Sequence, residues 1–279
     1  GPETCAGFPA SYKFEKQDAD TYAKWGVDYL KYDWCSYGGI EPHPDLAGLE
    51  KPYSLMHRML ANSGRDIVFS LCQYGMGDVW NWGASVGGNA WRCTGDITDT
   101  WSSMSSIGFQ GDKWAKGGGP GHWNDPDMLV VGRLGWGDHP HPTRLTPNEQ
   151  ITHITMWAMQ AAPLLIGCDL THLDSFTLDV LTNHDVIEVD QDMLGKPATR
   201  LSKDGQTEVW SRPLADGRFA VALFNRGEEP TRVSLKLADL GLEGNHKIRN
   251  LWLNRDAGRA RDTFSATIPR HGAVLISVE

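Results

Sequence analysis

Short apolar runs alternate with amphipathic segments over the first 197 residues of the chain. The runs at 27–33 and 67–72 predict buried strands, and the stretches at 14–25 and 49–62 predict helices, because their apolar residues recur at helical spacing. Strands and helices that alternate in this way form parallel strands joined by crossover helices. We therefore expect residues 1–197 to form an α/β domain.

The pattern changes after residue 197. Five short segments that alternate in polarity or run apolar follow one another, at 207–211, 218–225, 232–235, 246–251 and 273–278. Turn sequences such as Lys203-Asp204-Gly205 separate them, as between the strands of hairpins. Residues 198–279 are predicted to form a C-terminal antiparallel β-sandwich.

The α/β part contains fewer strands than a closed barrel. We count five, ending near Asp33, Cys72 and Asp96, around 123–129 and at 163–167. A closed (β/α)8 barrel needs eight strands and about 250 residues. Residues 1–197 are short of such a barrel by about three βα units.

Composition excludes some partners and favours others. There are 26 Lys and Arg against 35 Asp and Glu, a net charge of −9, which argues against nucleic acid or an anionic membrane as the main partner. No apolar run approaches the roughly 20 residues that a membrane span requires. The 12 Trp and 7 Tyr suit the apolar faces of sugar rings or of other flat ligands.

Lys31 and Asp33 form the first candidate site. They lie two residues apart at the end of a predicted strand and therefore share a face, and parallel barrels carry their functional side chains at this end. A lysine beside an aspartate favours the ionised carboxylate that a nucleophile requires. The alternative is a structural ion pair at a strand end.

The segment 91–101 holds a second candidate. Arg92 is expected on a strand and Asp96 at its rim, with Asp99 following as a helix cap. Helix capping is also the alternative role for Asp96. Together, Asp33 and Asp96 are typical of the carboxylate pair that performs glycosyl transfer.

No segment predicts a metal or phosphate site. Asp125-Pro126-Asp127 lacks the further oxygen ligands that a hard cation requires. His139 and His141 lack zinc-ligand spacing, and the glycine run 117–119 lacks the lysine of a phosphate loop.

Seven motifs carry a resemblance to a known family. They are TCAGFPAS (4–11), WGVDYLKYDWC (25–35), SLCQYG (70–75), WRCTGDITDTW (91–101), WNDPDMLVVG (123–132), AAPLLIG (161–167) and VDQDMLGK (189–196). The set resembles the glycoside hydrolase family 27 α-galactosidases, in order along most of the chain. The resemblance implies a (β/α)8 TIM-type barrel followed by an antiparallel β-domain, and a retaining hydrolase that needs no cofactor and no metal.

The resemblance also implies a role for individual residues. Asp33 matches the nucleophile and Asp96 the acid/base. The substrate-binding positions that match are Lys31, a hydroxyl donor; Arg92, near the sugar 2-position; Cys72 and Tyr74, which pack the 2-hydroxyl; and Met128, an apolar wall. Asp125 and Asp127 match structural residues that brace a strand end.

The residues near the sugar 2-position bear on specificity. Cys72 and Tyr74 leave little space for an N-acetyl group, which favours terminal α-linked galactose in an oligosaccharide or glycoconjugate. The family most often has an acidic residue and Trp where this chain has Gln73 and Tyr74. The alternatives on the same scaffold are therefore an α-N-acetylgalactosaminidase or a β-L-arabinopyranosidase. A non-catalytic sugar-binding module is a further alternative, because the family's subsite for the distal hydroxyls is missing.

Two further expectations follow from the resemblance. Cys5 and Cys35 match a disulfide, which favours a periplasmic or secreted protein, and Cys72, Cys93 and Cys168 remain as free thiols. The family's first three βα units, which hold residues for the distal hydroxyls, precede the first motif and are absent here. We therefore expect either that this sequence is a fragment of a longer protein or that the chain assembles with a complementary N-terminal barrel segment as a partner.

Overall fold

The computed structural model describes residues 1–135 and 139–279, which form two compact units. The first unit comprises residues 1–96 and 121–125, and the second comprises residues 97–120 and 126–279. Among the described residues, no helix has both the length and the apolar character needed to cross a membrane.

A parallel sheet of four strands forms the centre of the first unit. In spatial order its strands are β1 (Tyr29–Asp33), β2 (Val68–Cys72), β3 (Ala90–Arg92) and β4 (Trp123–Asp125). Asp33 is the register partner of Cys72, and Arg92 is the partner of Asp125. Because the strands are parallel, their C-terminal residues all lie on one edge of the sheet.

Two helices belong to the first unit, and both begin and end close to the predicted positions. They are α1 (Glu15–Trp25) and α2 (Leu46–Ala61). α1 ends at Gly26, whose φ of 77° is the left-handed conformation that glycine tolerates. α2 begins at Asp45, whose Oδ1 accepts a 2.8 Å hydrogen bond from the Gly48 N–H.

Four α-helices lie in the described part of the second unit. They are α3 (Trp101–Gly108), α4 (Pro147–Met159), α5 (Ser175–Leu181) and α6 (His184–Asp190). Thr146 and Glu149 cap α4 reciprocally, because each side chain accepts a hydrogen bond from the other's backbone N–H. The expectation that Asp99 caps a helix is wrong: Thr100 caps α3, and Asp99 pairs with Arg144 instead. Thr100 is the residue directly before α3, and its hydroxyl accepts a hydrogen bond from the Ser103 N–H.

The rest of the second unit is built of antiparallel strands. They are β5 (Arg133–Leu134), β6 (His141–Pro142), β7 (Thr199–Asp204), β8 (Thr207–Pro213), β9 (Phe219–Asn225), β10 (Thr231–Lys236), β11 (His246–Asn250), β12 (Arg255–Ala260), β13 (Thr263–Ile268) and β14 (Ala273–Val278). A six-stranded sheet has the order β12-β11-β14-β9-β8-β7, and β10 pairs with β13. Val221, Val233, Ile248 and Ile268 are among the apolar residues buried between these two sheets.

The second face of the six-stranded sheet is also buried. Trp210 and Phe224 belong to the same apolar cluster as Met156 and Trp157 of α4. The sequence pattern missed β7, β12 and β13. β7 and β12 are largely exposed and polar, so they lack the apolar alternation that reveals a half-buried strand.

The structure shortens the predicted parallel strands. β3 ends at Arg92 rather than near Asp96, and β4 ends at Asp125. Pro126 has no N–H to donate, and Asp127 has a φ of 88°, so regular pairing stops there. The expected strand at 163–167 forms a single parallel bridge, between Leu129 and Ile166.

Candidate active site

Asp33, the last residue of β1, is surrounded by donors. Its Oδ1 accepts hydrogen bonds from the Tyr74 hydroxyl at 2.5 Å and from the Cys35 N–H at 3.2 Å. Lys31 Nζ lies 4.0 Å from its Oδ2. The side chain is 27% exposed. These contacts hold the carboxylate in one orientation while leaving it open to solvent.

The Tyr74 phenol reaches Asp33 because the chain turns sharply after β2. Tyr74 and Gly75 have φ values of 64° and 84°, and a side chain on Gly75 would place its Cβ 2.2 Å from the Cys93 carbonyl oxygen. Burial and the hydrogen bond to Asp33 raise the pKa of Tyr74. The phenol therefore keeps its proton and remains the donor of this pair.

Cys72, the last residue of β2, is completely buried. Burial raises the pKa of its thiol to about 12, and the nearby charges of Arg92 and Lys31 offset this only in part. Arg92 Nη1 lies 3.8 Å from the sulfur. Because the thiol stays neutral, Cys72 is a packing residue rather than a nucleophile.

Arg92 and Asp96 form an ion pair at the end of β3. Arg92 Nη2 lies 3.1 Å from Asp96 Oδ1, and the guanidinium is 2% exposed whereas the Asp96 side chain is 77% exposed. Arg92 Nη2 also donates to the Thr94 carbonyl oxygen at 3.3 Å. Asp96 is close enough to Tyr74 to raise the pKa of the phenol. A buried cation thus holds a solvent-facing carboxylate near the phenol that binds Asp33.

The structure brings together six of the seven side chains expected to act in catalysis or sugar binding. All six lie in the first unit: Lys31, Asp33, Cys72, Tyr74, Arg92 and Asp96. Met128 belongs to the second unit, where it lines a cavity of about 220 Å³.

Asp127 Oδ2 accepts from the Ile97 N–H and its Oδ1 accepts from the Met128 N–H, both at 2.8 Å. These bonds are consistent with a bracing role for Asp127.

Two features of this region were not evident from the sequence. The Cys35 N–H is a donor to Asp33, and a backbone amide has no sequence signal of its own. The Gln73 side chain is fully buried, and its amide atoms have no hydrogen-bond partner within residues 1–135 and 139–279. Gln73 therefore does not present its amide to solvent beside Asp33.

The expected disulfide between Cys5 and Cys35 is confirmed, with Cα atoms 5.1 Å apart. The two sulfur atoms and a carboxylate oxygen of Asp33 lie within 4.8 Å of one another. Sulfurs joined in a disulfide offer no thiolate to a metal, so this cluster is a covalent brace beside Asp33. Cys72, Cys93 and Cys168 are free, as expected.

Curated relatives match the sequence of this chain over almost its whole length. α-Galactosidase 2 of Arabidopsis thaliana is 41% identical, with 100% of this chain and 67% of the relative covered. The α-galactosidase of Coffea arabica is 43% identical, with 99% and 69% covered. Across the curated relatives that we compared, the chain spans 60 to 69% of their length.

Solved structures of related enzymes resemble the fold of this chain. α-Galactosidase I of Mortierella vinacea has a TM-score of 0.91 at 29% identity, covering 100% of this chain and 74% of that one. A β-L-arabinopyranosidase of Geobacillus stearothermophilus has a TM-score of 0.85 at 30% identity, covering 95% and 61%. The predicted fold class is confirmed: barrel strands and helices followed by an antiparallel β-sandwich.

Family models match both parts of the chain. Residues 1–192 match the model described as alpha galactosidase A, and residues 204–278 match that of the alpha galactosidase C-terminal beta sandwich domain. The predicted division at residues 197 and 198 remains a prediction. The chain belongs to the melibiase, or α-galactosidase, family of glycoside hydrolase family 27.

Proposed function

We propose that this chain carries the catalytic carboxylates of a retaining exo-α-galactosidase, which hydrolyses terminal α-linked galactose. The observation that carries the proposal is the position of Asp33 and of the Arg92–Asp96 pair at the C-terminal ends of β1 and β3, two strands of one parallel sheet. Tyr74 lies close to both carboxylates. Two carboxylates beside one sugar are what glycoside hydrolysis requires.

Asp33 is proposed as the nucleophile. Its Oδ1 is held by Tyr74 and by the Cys35 N–H, so Oδ2 is the oxygen that attacks the anomeric carbon. Lys31 Nζ, 4.0 Å from Oδ2, is placed to donate to a hydroxyl of the same sugar. Attack at the anomeric carbon forms a covalent galactosyl ester as the glycosidic bond breaks.

Asp96 is proposed as the acid/base. It gives its proton to the glycosidic oxygen while the bond breaks, and then takes a proton from the water that cleaves the ester. The guanidinium of Arg92 suits the ionised form of Asp96, which is the form needed for this second step. The exposed carboxylate also leaves room for the water to reach it.

The specificity for galactose rests on Cys72 and Tyr74. The buried thiol and the phenol bound to Asp33 leave little space for an N-acetyl substituent on the sugar. Arg92 is proposed to bind near the 2-position, and Met128 to form an apolar wall. The curated relatives named above are α-galactosidases, which favours galactose over N-acetylgalactosamine or arabinopyranose as the substrate sugar.

Covalent trapping tests the nucleophile directly. A 2-deoxy-2-fluoro galactosyl donor slows hydrolysis of the ester, so the intermediate accumulates and mass spectrometry of peptides locates it. We expect the label on Asp33 and none on the Asp33→Asn variant. Asp28→Asn is the control, because its exposed side chain pairs with Arg65, which is not a proposed site residue. A label on another residue, or no turnover of any α-galactoside, overturns the proposal.

Initial rates on three nitrophenyl glycosides separate the rival functions. Higher kcat/KM on the nitrophenyl glycoside of α-N-acetylgalactosamine or of β-L-arabinopyranose than on that of α-galactose would assign the site to that sugar instead. A non-catalytic module would bind sugar without releasing nitrophenol from any of the three.

We also propose that a complementary N-terminal βα segment is a partner of this chain. Within the described residues, β1 pairs only with β2, so its other edge offers unpaired backbone groups. Phe14 and Trp25 at the two ends of α1 are 57% and 72% exposed. Co-expression with the first three βα units of a curated relative should yield a co-purifying pair with higher activity than the chain alone. If the chain and the segment do not associate, the proposal of this partner is refuted.

An oxidising compartment, periplasmic or extracellular, is proposed as the working location. The support is the Cys5–Cys35 disulfide, since such bonds persist mainly outside reducing compartments. Fractionation of producing cells, followed by thiol labelling with and without reductant, tests this.

A further inference from the structure

A cavity of about 340 Å³ lies within the second unit. Its walls come from α6 and the residues that follow it, from the turn between β8 and β9, and from β11 and β14. The volume is at the lower end of the roughly 300 to 1,000 Å³ typical of small-molecule sites. None of the residues proposed for catalysis or sugar binding lines this cavity.

Two ion pairs contribute to the wall of the cavity and leave it no net charge. Arg249 Nε donates to Asp185 Oδ2 at 2.7 Å, and Arg218 Nε donates to Asp216 Oδ2 at 2.6 Å. Each guanidinium is thus already matched by a carboxylate. The cavity has no free arginine for an anionic ligand.

Two further carboxylates that line the cavity, those of Glu188 and Asp192, have no such match. Within residues 1–135 and 139–279, neither forms an ion pair with a lysine or an arginine; Glu188 has only the exposed His184, whose Nδ1 lies 3.7 Å away. The backbone N–H groups of Leu194 and Ala215 both donate to Asp192 Oδ1 at 3.1 Å, which fixes its orientation. The cavity therefore has an excess of two carboxylates over guanidinium groups, which favours a ligand with two positive charges.

The rest of the wall is largely apolar. Val189, Leu214 and Leu251 line the cavity and are 3%, 7% and 3% exposed. A hard metal cation requires a shell of oxygen ligands, whereas methylene groups pack on a surface of this kind. Among the described residues that line the cavity none is aromatic, which disfavours a sugar ring.

Ser277 is an independent indication of a ligand. It lines the cavity and is 1% exposed, and its hydroxyl has no hydrogen-bond partner in the part of the chain that the structure describes. A buried hydroxyl without a partner costs free energy. An ammonium group has three N–H donors and can supply the missing hydrogen bond.

We propose that this cavity binds a small aliphatic diamine. One ammonium group pairs with Glu188 and the other with Asp192, and the methylene chain between them packs on Val189, Leu214 and Leu251. The inference goes beyond the proposed hydrolase function and does not depend on it, because the cavity shares no residue with the candidate active site.

Calorimetric titration with 1,4-diaminobutane at low ionic strength tests the proposal. We expect saturable binding at one site, and a rise in Tm with diamine concentration because the ligand binds the folded chain. Butylamine, which has a single ammonium group, should bind at least about tenfold more weakly, and the uncharged 1,4-butanediol should not bind measurably. Absence of diamine binding, or equal affinity for butylamine, overturns the proposal.

Variants locate the binding site. Glu188→Gln should weaken diamine binding about tenfold, and Ser277→Ala about threefold. Asp204→Asn is the matched control, because it makes the same change in net charge at an exposed residue of the second unit outside the cavity. Equal affinities of Glu188→Gln and Asp204→Asn contradict the proposed site.

Zinc is the competing occupant, because His184, Asp185 and Glu188 each offer a ligand atom within 4.8 Å of the others. For the diamine site, His184→Ala should leave the affinity for 1,4-diaminobutane within about twofold of wild type. Zinc binding that excludes the diamine and is lost in His184→Ala overturns the proposal in favour of a metal site. These titrations do not measure hydrolysis, so their failure is distinguishable from failure of the proposed function.

Discussion

The Tyr74 hydroxyl donates a 2.5 Å hydrogen bond to Asp33 Oδ1, the same oxygen that accepts the Cys35 N–H. Two donors on one oxygen leave Asp33 Oδ2 as the oxygen for the attack that we propose. The phenol thus orients the carboxylate. This relationship depends on the left-handed backbone at Tyr74 and Gly75.

Removal of this phenol should reduce catalysis more than stability. For Tyr74→Phe we predict that kcat/KM on nitrophenyl α-galactoside falls about tenfold, because the Asp33 carboxylate loses one of its two orienting bonds. Tyr53→Phe is the control: this buried hydroxyl has no hydrogen-bond partner among the described residues. Equal activity of the two variants would show that Tyr74 does not orient Asp33.

The disulfide should support both the fold and the site. The disulfide joins residues separated by 30 positions in sequence. Its removal in the double variant Cys5→Ser, Cys35→Ser should therefore lower the free energy of unfolding by about 3 to 4 kcal/mol. Activity should fall as well, because the Cys35 N–H donates to Asp33. Urea unfolding and initial rates measure the two effects. Cys168→Ser, at a free cysteine, should change neither, and full activity of the double variant would contradict the second expectation.

His153 should make the fold sensitive to acid. It is fully buried and its Nε2 accepts the Val130 N–H at 3.0 Å, and burial lowers its pKa from 6.5 to about 3. The unfolded chain therefore binds a proton first as the pH falls, so stability that is complete above pH 6.5 is lost progressively as the pH falls from 6.5 to the folded-state pKa of about 3.

Unfolding experiments at two pH values test this. Between pH 7.5 and pH 5, this histidine should account for about 2 kcal/mol of lost stability. In His153→Gln that part of the pH dependence should disappear, although the variant is less stable at both values. His184→Gln, at an exposed histidine, should keep the wild-type slope. An unchanged slope in His153→Gln would contradict the burial argument.

His271 should contribute to the stability of the second unit. Its Nδ1 lies 2.6 Å from Glu149 Oε1 and its Nε2 lies 3.1 Å from Glu228 Oε1. Its ring stacks on Trp101 with centroids 4.0 Å apart. Each ring nitrogen thus lies within hydrogen-bond distance of a carboxylate oxygen.

Loss of this histidine leaves the buried Glu149 carboxylate without one partner. We predict that His271→Ala lowers the free energy of unfolding by about 3 kcal/mol, whereas Glu228→Gln, at an exposed carboxylate, lowers it by less than about 1 kcal/mol. Denaturant titration measures both. Similar small losses in the two variants would mean that the buried pair contributes little.

Local patterns revealed most of the regular structure. The helices α1 and α2 lie close to the segments 14–25 and 49–62 that the spacing of apolar residues predicts, because helical periodicity depends on side chains a few residues apart. The largely exposed strands β7 and β12 were missed for the complementary reason: their pairing is decided by distant strands rather than by their own residues.

The candidate site divides in the same way. Asp33 and Asp96 became candidates from the sequence, by strand-end position and by motif, since residue type and spacing carry that information. The hydrogen bond from Tyr74 to Asp33 and the burial of the Arg92 guanidinium beside Asp96 were decided only by tertiary structure. Hydrogen-bond direction and burial depend on atoms brought together from separate segments of the chain, and no local pattern specifies that meeting.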